Sequence, residues 1–311
     1  MLVESLSTTS RRHITYTQKP HVPLLWQSGR ACGRRYDAAM TQNDQASFAV
    51  GKMHEPEVER FVSALDRQGE MDVVQALRGW VRDRLELTAG GTVVDVGCGT
   101  GEELLQLANI VGQSGRAIGF DANDPMLETA RTRTAGVSNV EIEKAEASVL
   151  PCATGSVDAL VSERVLQHLQ YDPAVAVGEF ARVVRVGGRV GLTDTDWSSL
   201  QVLVTDDPVA TAELDEVRAR IPLPFTSNQE AGKHLEEYCA AAGLAVLERQ
   251  SFILAEFAPA MIQGVRAGLS AAAEQVLEQH ELAAANRLLD DALGRDALRI
   301  AVRLHAVIAR R

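Results

Sequence analysis

Three glycines, Gly97, Gly99 and Gly101, follow the apolar run Val93-Val94-Asp95-Val96, and a helical pattern opens at Glu102-Glu103-Leu104-Leu105. In a strand, glycine loop, helix unit the main chain can turn through conformations closed to other residues, and a ligand can approach the backbone at the carboxyl edge of a sheet. Asp121 ends the run Ala117-Ile118-Gly119-Phe120, twenty positions beyond Gly101. A carboxylate so placed can accept hydrogen bonds from both hydroxyls of an adenosine ribose. A dinucleotide fingerprint, G-x-G-x-x-G, needs a small residue at position 102; Glu102 stands there, which weakens the reading as an NAD(P)-dependent oxidoreductase. Cys98 lies inside the loop, where a small side chain is required, and reads as a steric choice rather than a reactive thiol.

Further candidates lie downstream. His168 follows the fourth strand-like run by about a turn and a half of helix, on the ligand edge of the sheet, and is the candidate general base; the competing reading is a histidine that caps or packs a helix. Asp194, Asp196 and Trp197 continue the fifth run at the same edge, as acceptor-pocket residues or as a solvated loop. Arg164 could bind an acidic acceptor or pair with a neighbouring carboxylate. The four cysteines, Cys32, Cys98, Cys152 and Cys239, are scattered without metal-ligand spacing, so no metal is expected. There is no G-x-S-x-G elbow, no G-x-x-x-x-G-K-[ST] phosphate loop and no H-E-x-x-H.

The elements that must position these residues follow from hydrophobic period. Between Pro56 and Leu87, apolar residues recur at helical spacing (Val58, Phe61, Val62, Leu65, then Val73, Leu77, Trp80, Val81, Leu85), which describes two amphipathic helices. From Thr92 short β-branched runs at 92–96, 117–121, 140–144, 159–162 and 189–193 alternate with turns and helical patterns, the rhythm of a parallel sheet with crossover helices. That rhythm breaks at 194–228, which holds Pro208, Pro222 and Pro224 and reads as an irregular lid or acceptor pocket. A helix at 230–242, a strand at 245–254, Ala/Leu-rich helices at about 259–279 and 282–293, and a final strand at 300–309 complete the chain. The Ala-rich helices read as cover for the sheet, with a face open to pocket formation or a homodimer contact.

At this point the chain resembles the class I S-adenosylmethionine (SAM)-dependent methyltransferases, in particular the group that includes ubiquinone/menaquinone-type and small-molecule methyltransferases. The resemblance is strong over residues 92–190. It rests on Asp95-x-Gly97-x-Gly99-x-Gly101; Asp121 with Ala122-Asn123-Asp124-Pro125-Met126-Leu127; Glu146-Ala147 before Leu150-Pro151; and Ser156-Val157-Asp158. It continues through Val165-Leu166-x-His168-Leu169 and Arg185-Val186-Gly187-Gly188-Arg189. It implies a doubly wound α/β fold with a seven-stranded, mostly parallel sheet ordered 3-2-1-4-5-7-6, the last strand antiparallel. It also implies that Asp95, Gly97, Cys98, Gly99 and Gly101 hold the methionine part of SAM and Asp121 the ribose, while Ala122 and Met126 wall the adenine. Glu146 and Ala147 match an acidic-Ala pair facing the adenine amino edge, where the family usually has Asp, and Ser162 and Glu163 match backbone near the methionine end. After the fourth run, Ser162-Glu163-Arg164-Val165 lacks the Asn/Asp-Pro-Pro-aromatic signature of enzymes that methylate nucleic-acid amino groups.

The expected function is therefore methyl transfer from SAM to a small organic acceptor; the alternatives are the NAD(P)-dependent oxidoreductase and a SAM-binding protein that assists a rearrangement without methyl transfer. Bulk properties agree. The chain has 311 residues and a formal charge of −11, with 31 basic against 42 acidic side chains, and so lacks the clustered cations that nucleic acids and anionic membranes require. No apolar run approaches the roughly 20 residues of a membrane span, and a cytoplasmic location is expected. Residues 1–39 read as a disordered or non-native extension, 40–90 as a helical cap, and 91–311 as the SAM-binding domain, with an acceptor-pocket insertion at about 195–228 and a helical insertion at about 257–294.

Overall fold

The computed structural model describes residues 55–223, 226–255 and 259–311. The expected extension at 1–39 and the start of the expected cap, 40–54, lie outside them.

Two helices open the described chain, α1 (Glu55–Gly69) and α2 (Asp72–Arg84), and the apolar stripe of α2, Val74, Leu77 and Val81, is buried. A regular alternation follows: β1 (Thr92–Val96), α3 (Glu102–Val111), β2 (Arg116–Asp121), α4 (Asp124–Arg133), β3 (Val140–Lys144) and β4 (Val157–Glu163). A 3-10 turn (Leu166–His168) and α5 (Pro173–Val183) lead into β5 (Val184–Val204), then α6 (Pro208–Arg220), a 3-10 turn (Ala231–His234), α7 (Leu235–Ala241) and β6 (Ala245–Leu254). Helices α8 (Pro259–Ala273) and α9 (Gln279–Gly294) precede β7 (Leu298–Arg310). The strands form one sheet in the order β3-β2-β1-β4-β5-β7-β6. β1 runs parallel to β2 and β4, while β7 is antiparallel to both β5 and β6, as the resemblance implied.

Helix starts are written locally. Asn123, Asp172 and Asp207 each cap a following helix by accepting backbone N–H groups, and each is closely followed by a proline in the first turn, whose missing N–H costs nothing there. β1 and β4 are covered on both faces: Val94, Val96 and Leu160 pack with Phe120 and Phe180 on one side, and Val93, Ala159 and Val161 with Leu104 and Leu107 on the other. Each large side chain buried this way contributes on the order of 1.5–3 kcal/mol.

The region after Thr193 departs from expectation. Residues 194–228 are not an irregular lid: β5 continues to Val204, and the Asp207 cap starts α6. Leu200, Val202 and Val204 alternate with more exposed neighbours and join Ile300, Val302 and Leu304 of β7 in a separate core that α6, α8 and α9 close. The register between β5 and β7 breaks once, from Asp196 opposite Arg303 to Gln201 opposite Ala301. Residues 197–200 of β5 thus stand against the single residue Val302, a wide β-bulge that bends the strand.

Candidate functional site

The three loop glycines have φ of 75°, 51° and 77° at Gly97, Gly99 and Gly101, the left-handed region that costs other residues roughly 1–2 kcal/mol. Space requires two of them as well. A Cβ on Gly97 would lie 2.1 Å from Val165 Cγ2 and one on Gly101 3.1 Å from Ala130 Cβ, whereas one on Gly99 would meet nothing within 4 Å. The N–H groups of Gly97 and Cys98 both donate to Phe120 O, at 2.7 and 3.0 Å, which ties the turn to the end of β2. Gly119 leaves room for the Cys98 side chain, whose thiol pKa is raised by burial and then by Asp95 and Asp121. The steric reading of Cys98 fits these contacts.

The Asp121 carboxylate accepts from Gly99 N and Asn123 N, both at 2.9 Å, so its orientation is set before any ligand arrives. The loop and this carboxylate open onto a cavity of about 700 Å³, within the roughly 300–1,000 Å³ typical of small-molecule sites. Of the predicted residues, Asp95, Gly97, Cys98, Gly99, Asp121, Ala122 and Met126 line it, as do Glu146, Ala147, Glu163, Arg164, His168 and Trp197. Gly101, Ser162, Asp194 and Asp196 do not. Gly101 caps α3, and the Ser162 hydroxyl is buried with no hydrogen-bond partner among the described residues.

Sequence reasoning missed a buried charge cluster over the loop. Arg78 of α2 donates to both oxygens of Glu163, at 2.8 and 3.2 Å, and to Glu102 at 2.9 Å. Arg164 donates to Glu163 at 2.7 Å and to Gln68 of α1 at 2.5 Å. Burial alone would raise the Glu163 carboxyl; the two arginines outweigh it and hold the pKa at about 2. Asp95, by contrast, is pushed well above the usual carboxylate range by burial, then by Glu103 and Glu163, with Arg78 opposing. A signal for Arg78 was present: it lies at helical spacing from Val74, Val81 and Leu85, so a cation sits within the apolar stripe. Arg164 itself has φ 56°, a strained backbone beside the cavity.

Two acidic candidates serve the framework instead of the cavity wall. Asp194 is buried and accepts from Gln167 N at 3.2 Å and Thr195 N at 2.8 Å, so it holds the 3-10 turn that carries His168. Burial raises its pKa to about 7 against those donors. Asp196 accepts from Ser198 Oγ and lies 3.7 Å from His305 Nε2. Gln167 adds a tie across the site: its Oε1 accepts from Trp197 Nε1 at 2.7 Å, which orients the indole brought in by the bulge. Burial, then the Arg164 charge, lowers the His168 pKa to about 4, so the imidazole is neutral at pH 7.

Comparison with known proteins bears on this arrangement. A family model described as a methyltransferase domain matches residues 87–243. The chain is 37% identical over 196 residues to an uncharacterised 37.1 kDa protein of transposon TN4556 from Streptomyces fradiae, covering 63% of this chain and 55% of that one. It is 34% identical over 113 residues to demethylmenaquinone methyltransferase of Staphylococcus aureus, covering 36% and 46% respectively. It thus spans about half the length of these curated relatives. Among solved structures, the YcgJ protein of Bacillus subtilis superposes with a TM-score of 0.51 at 20% identity over 76% of this chain and 98% of that one, a likeness of fold.

Proposed function

This chain belongs to the methyltransferase-domain family, whose members depend on SAM, and from that premise we propose that it transfers the methyl group of SAM to a small organic acceptor bound in the same cavity. The observation that carries the reading is the Asp121 carboxylate, fixed by Gly99 N and Asn123 N at the mouth of a glycine loop whose Gly99 faces open space. A sulfonium supplies an activated methyl that departs from neutral sulfur, so alignment is the main demand on the protein.

The chain's own residues fit that demand. Gly97, Cys98 and Gly99 would bring main chain against the methionine part, with Asp95, Ser162 and Glu163 behind it; Gly101 starts the helix that backs the loop. Asp121 would accept from the ribose hydroxyls, Ala122, Met126 and Ala147 would enclose the base, and Glu146 would face its amino edge. Acids outnumber cations around the cavity, which suits a cationic donor. His168, neutral with a pKa of about 4, is a weak proton acceptor at pH 7 and contributes as an uncharged polar wall. Arg164 and Trp197 stand toward the acceptor, and Asp194 and Asp196 act behind the wall. The scattered cysteines suit action in the reducing cytoplasm.

Calorimetric titration with SAM tests the reading. Saturable binding is expected, and Gly99→Arg, which drives a long side chain into the cavity, should abolish it while the thermal unfolding temperature stays near that of the parent. Undiminished affinity in the variant would contradict the assignment.

A further inference from the structure

The acceptor half of the cavity is built from different elements than the donor half. By strand order the glycine loop and Asp121 sit on the β1–β2 side, whereas β5, β7 and β6 lie beyond β4. From that far side Trp197, Val302 and Leu254 line the cavity, joined by Val265 of α8, Val161 of β4 and Leu169 after the 3-10 turn. All are apolar or aromatic, and Leu254, Val265 and Val302 are also part of the core.

The polar groups on this side are uncharged. His168, Thr195 and Tyr171 line the cavity, and the Tyr171 hydroxyl is buried with no hydrogen-bond partner among the described residues. Arg164 is the nearest cation in sequence and space to this half, and Glu163 and Gln68 already hold its guanidinium. Arg78, the other cation lining the cavity, is bound by Glu163 and Glu102. A carboxylate or phosphate entering here would lose its water shell without gaining an uncommitted counter-charge. An uncharged ring would instead meet aliphatic walls and one indole face, with a hydroxyl that can bind a neutral oxygen.

Resting on the methyl-transfer reading above, we infer that the acceptor is an uncharged, ring-bearing, mainly apolar molecule whose polar group hydrogen-bonds Tyr171, and that acidic and phosphorylated metabolites are excluded. The test uses the full chain saturated with S-adenosylhomocysteine and titrated at pH 7.5 with 2-naphthol or its anionic counterpart 2-naphthoate. Saturation with S-adenosylhomocysteine tests the donor reading by itself; if that nucleoside does not bind, the methyl-transfer reading fails and this inference with it. Given saturation, 2-naphthol is expected to bind at least tenfold more tightly than 2-naphthoate. Tyr171→Phe, which removes only the hydroxyl, should weaken 2-naphthol at least threefold and leave S-adenosylhomocysteine affinity unchanged. Equal or tighter binding of 2-naphthoate, failure of both naphthalenes, or parental 2-naphthol affinity in Tyr171→Phe would each overturn the inference while leaving the donor reading intact.

Discussion

At the scale of single residues, the arrangement turns on a carboxylate that two guanidinium groups keep ionised inside the protein. Glu163 is buried, and its charge survives because Arg78 and Arg164 donate to it. Arg78→Met preserves length and packing while removing one of the two counter-charges. The remaining partner limits the damage, so the expected loss is ~2 kcal/mol, less than the roughly 3–5 typical when a buried pair is broken outright. Urea unfolding should show a lower midpoint with an unchanged slope; an unchanged midpoint would mean that Arg164 alone carries the charge. Arg78 also bridges Glu163 to Glu102, at the first residue of α3, so it clamps the helix start behind the glycine loop.

At the scale of elements, Asp194 links the end of β5 to the 3-10 turn that carries Gln167 and His168. Its pKa is about 7 in the folded protein against an ordinary 3.8, so between those values the folded chain binds more protons than the unfolded one. Stability from this group is therefore full below pH 3.8 and is lost as pH rises toward 7. In Asp194→Asn that dependence disappears, and the wild type's advantage over the variant should shrink by on the order of 2 kcal/mol between pH 5 and pH 8. Parallel stability profiles for the two proteins would show that the carboxyl does not titrate in this window. Elements differ in how openly the sequence announces them. The β1 loop was legible because glycine spacing, an apolar strand and a terminal carboxylate all point the same way, and the run at 245–254 emerged as β6 with the same bounds. The far half of β5 was not, because Asp194, Asp196, Ser198 and Ser199 interrupt its apolar pattern at the place where the bulge leaves the ladder. The alternation at Leu200, Val202 and Val204 and the Asp207-Pro208 cap were the available signals. Arg78 and Gln167 escaped for another reason: their partners lie tens of residues away, and only the tertiary fold brings them together.

At the scale of the whole molecule, the sheet carries two bodies of core. Val94, Phe120 and Phe180 with their neighbours, and Val93, Leu104 and Leu107, support the donor half. Leu200, Val202, Leu298 and Ile300, closed by α6, α8 and α9, support the acceptor half. Ile300 is 2% exposed and pairs with Val202, so Ile300→Ala should cost about 2–5 kcal/mol in urea unfolding. Because the SAM-side walls rest on the other clusters, affinity for S-adenosylhomocysteine should stay within about twofold of the parent. A fall in affinity in step with stability would show that the two halves are energetically one. The resemblance reached the overall strand order, yet it faded beyond Thr193, where this second body begins.

The four-against-one mismatch at residues 197–200 also separates ligand choice from scaffold integrity. Pairing resumes at Gln201 opposite Ala301 irrespective of what the looped-out residues contact. Exchanging side chains within that short detour therefore re-dimensions the chamber for a different guest without asking any downstream strand partner to change.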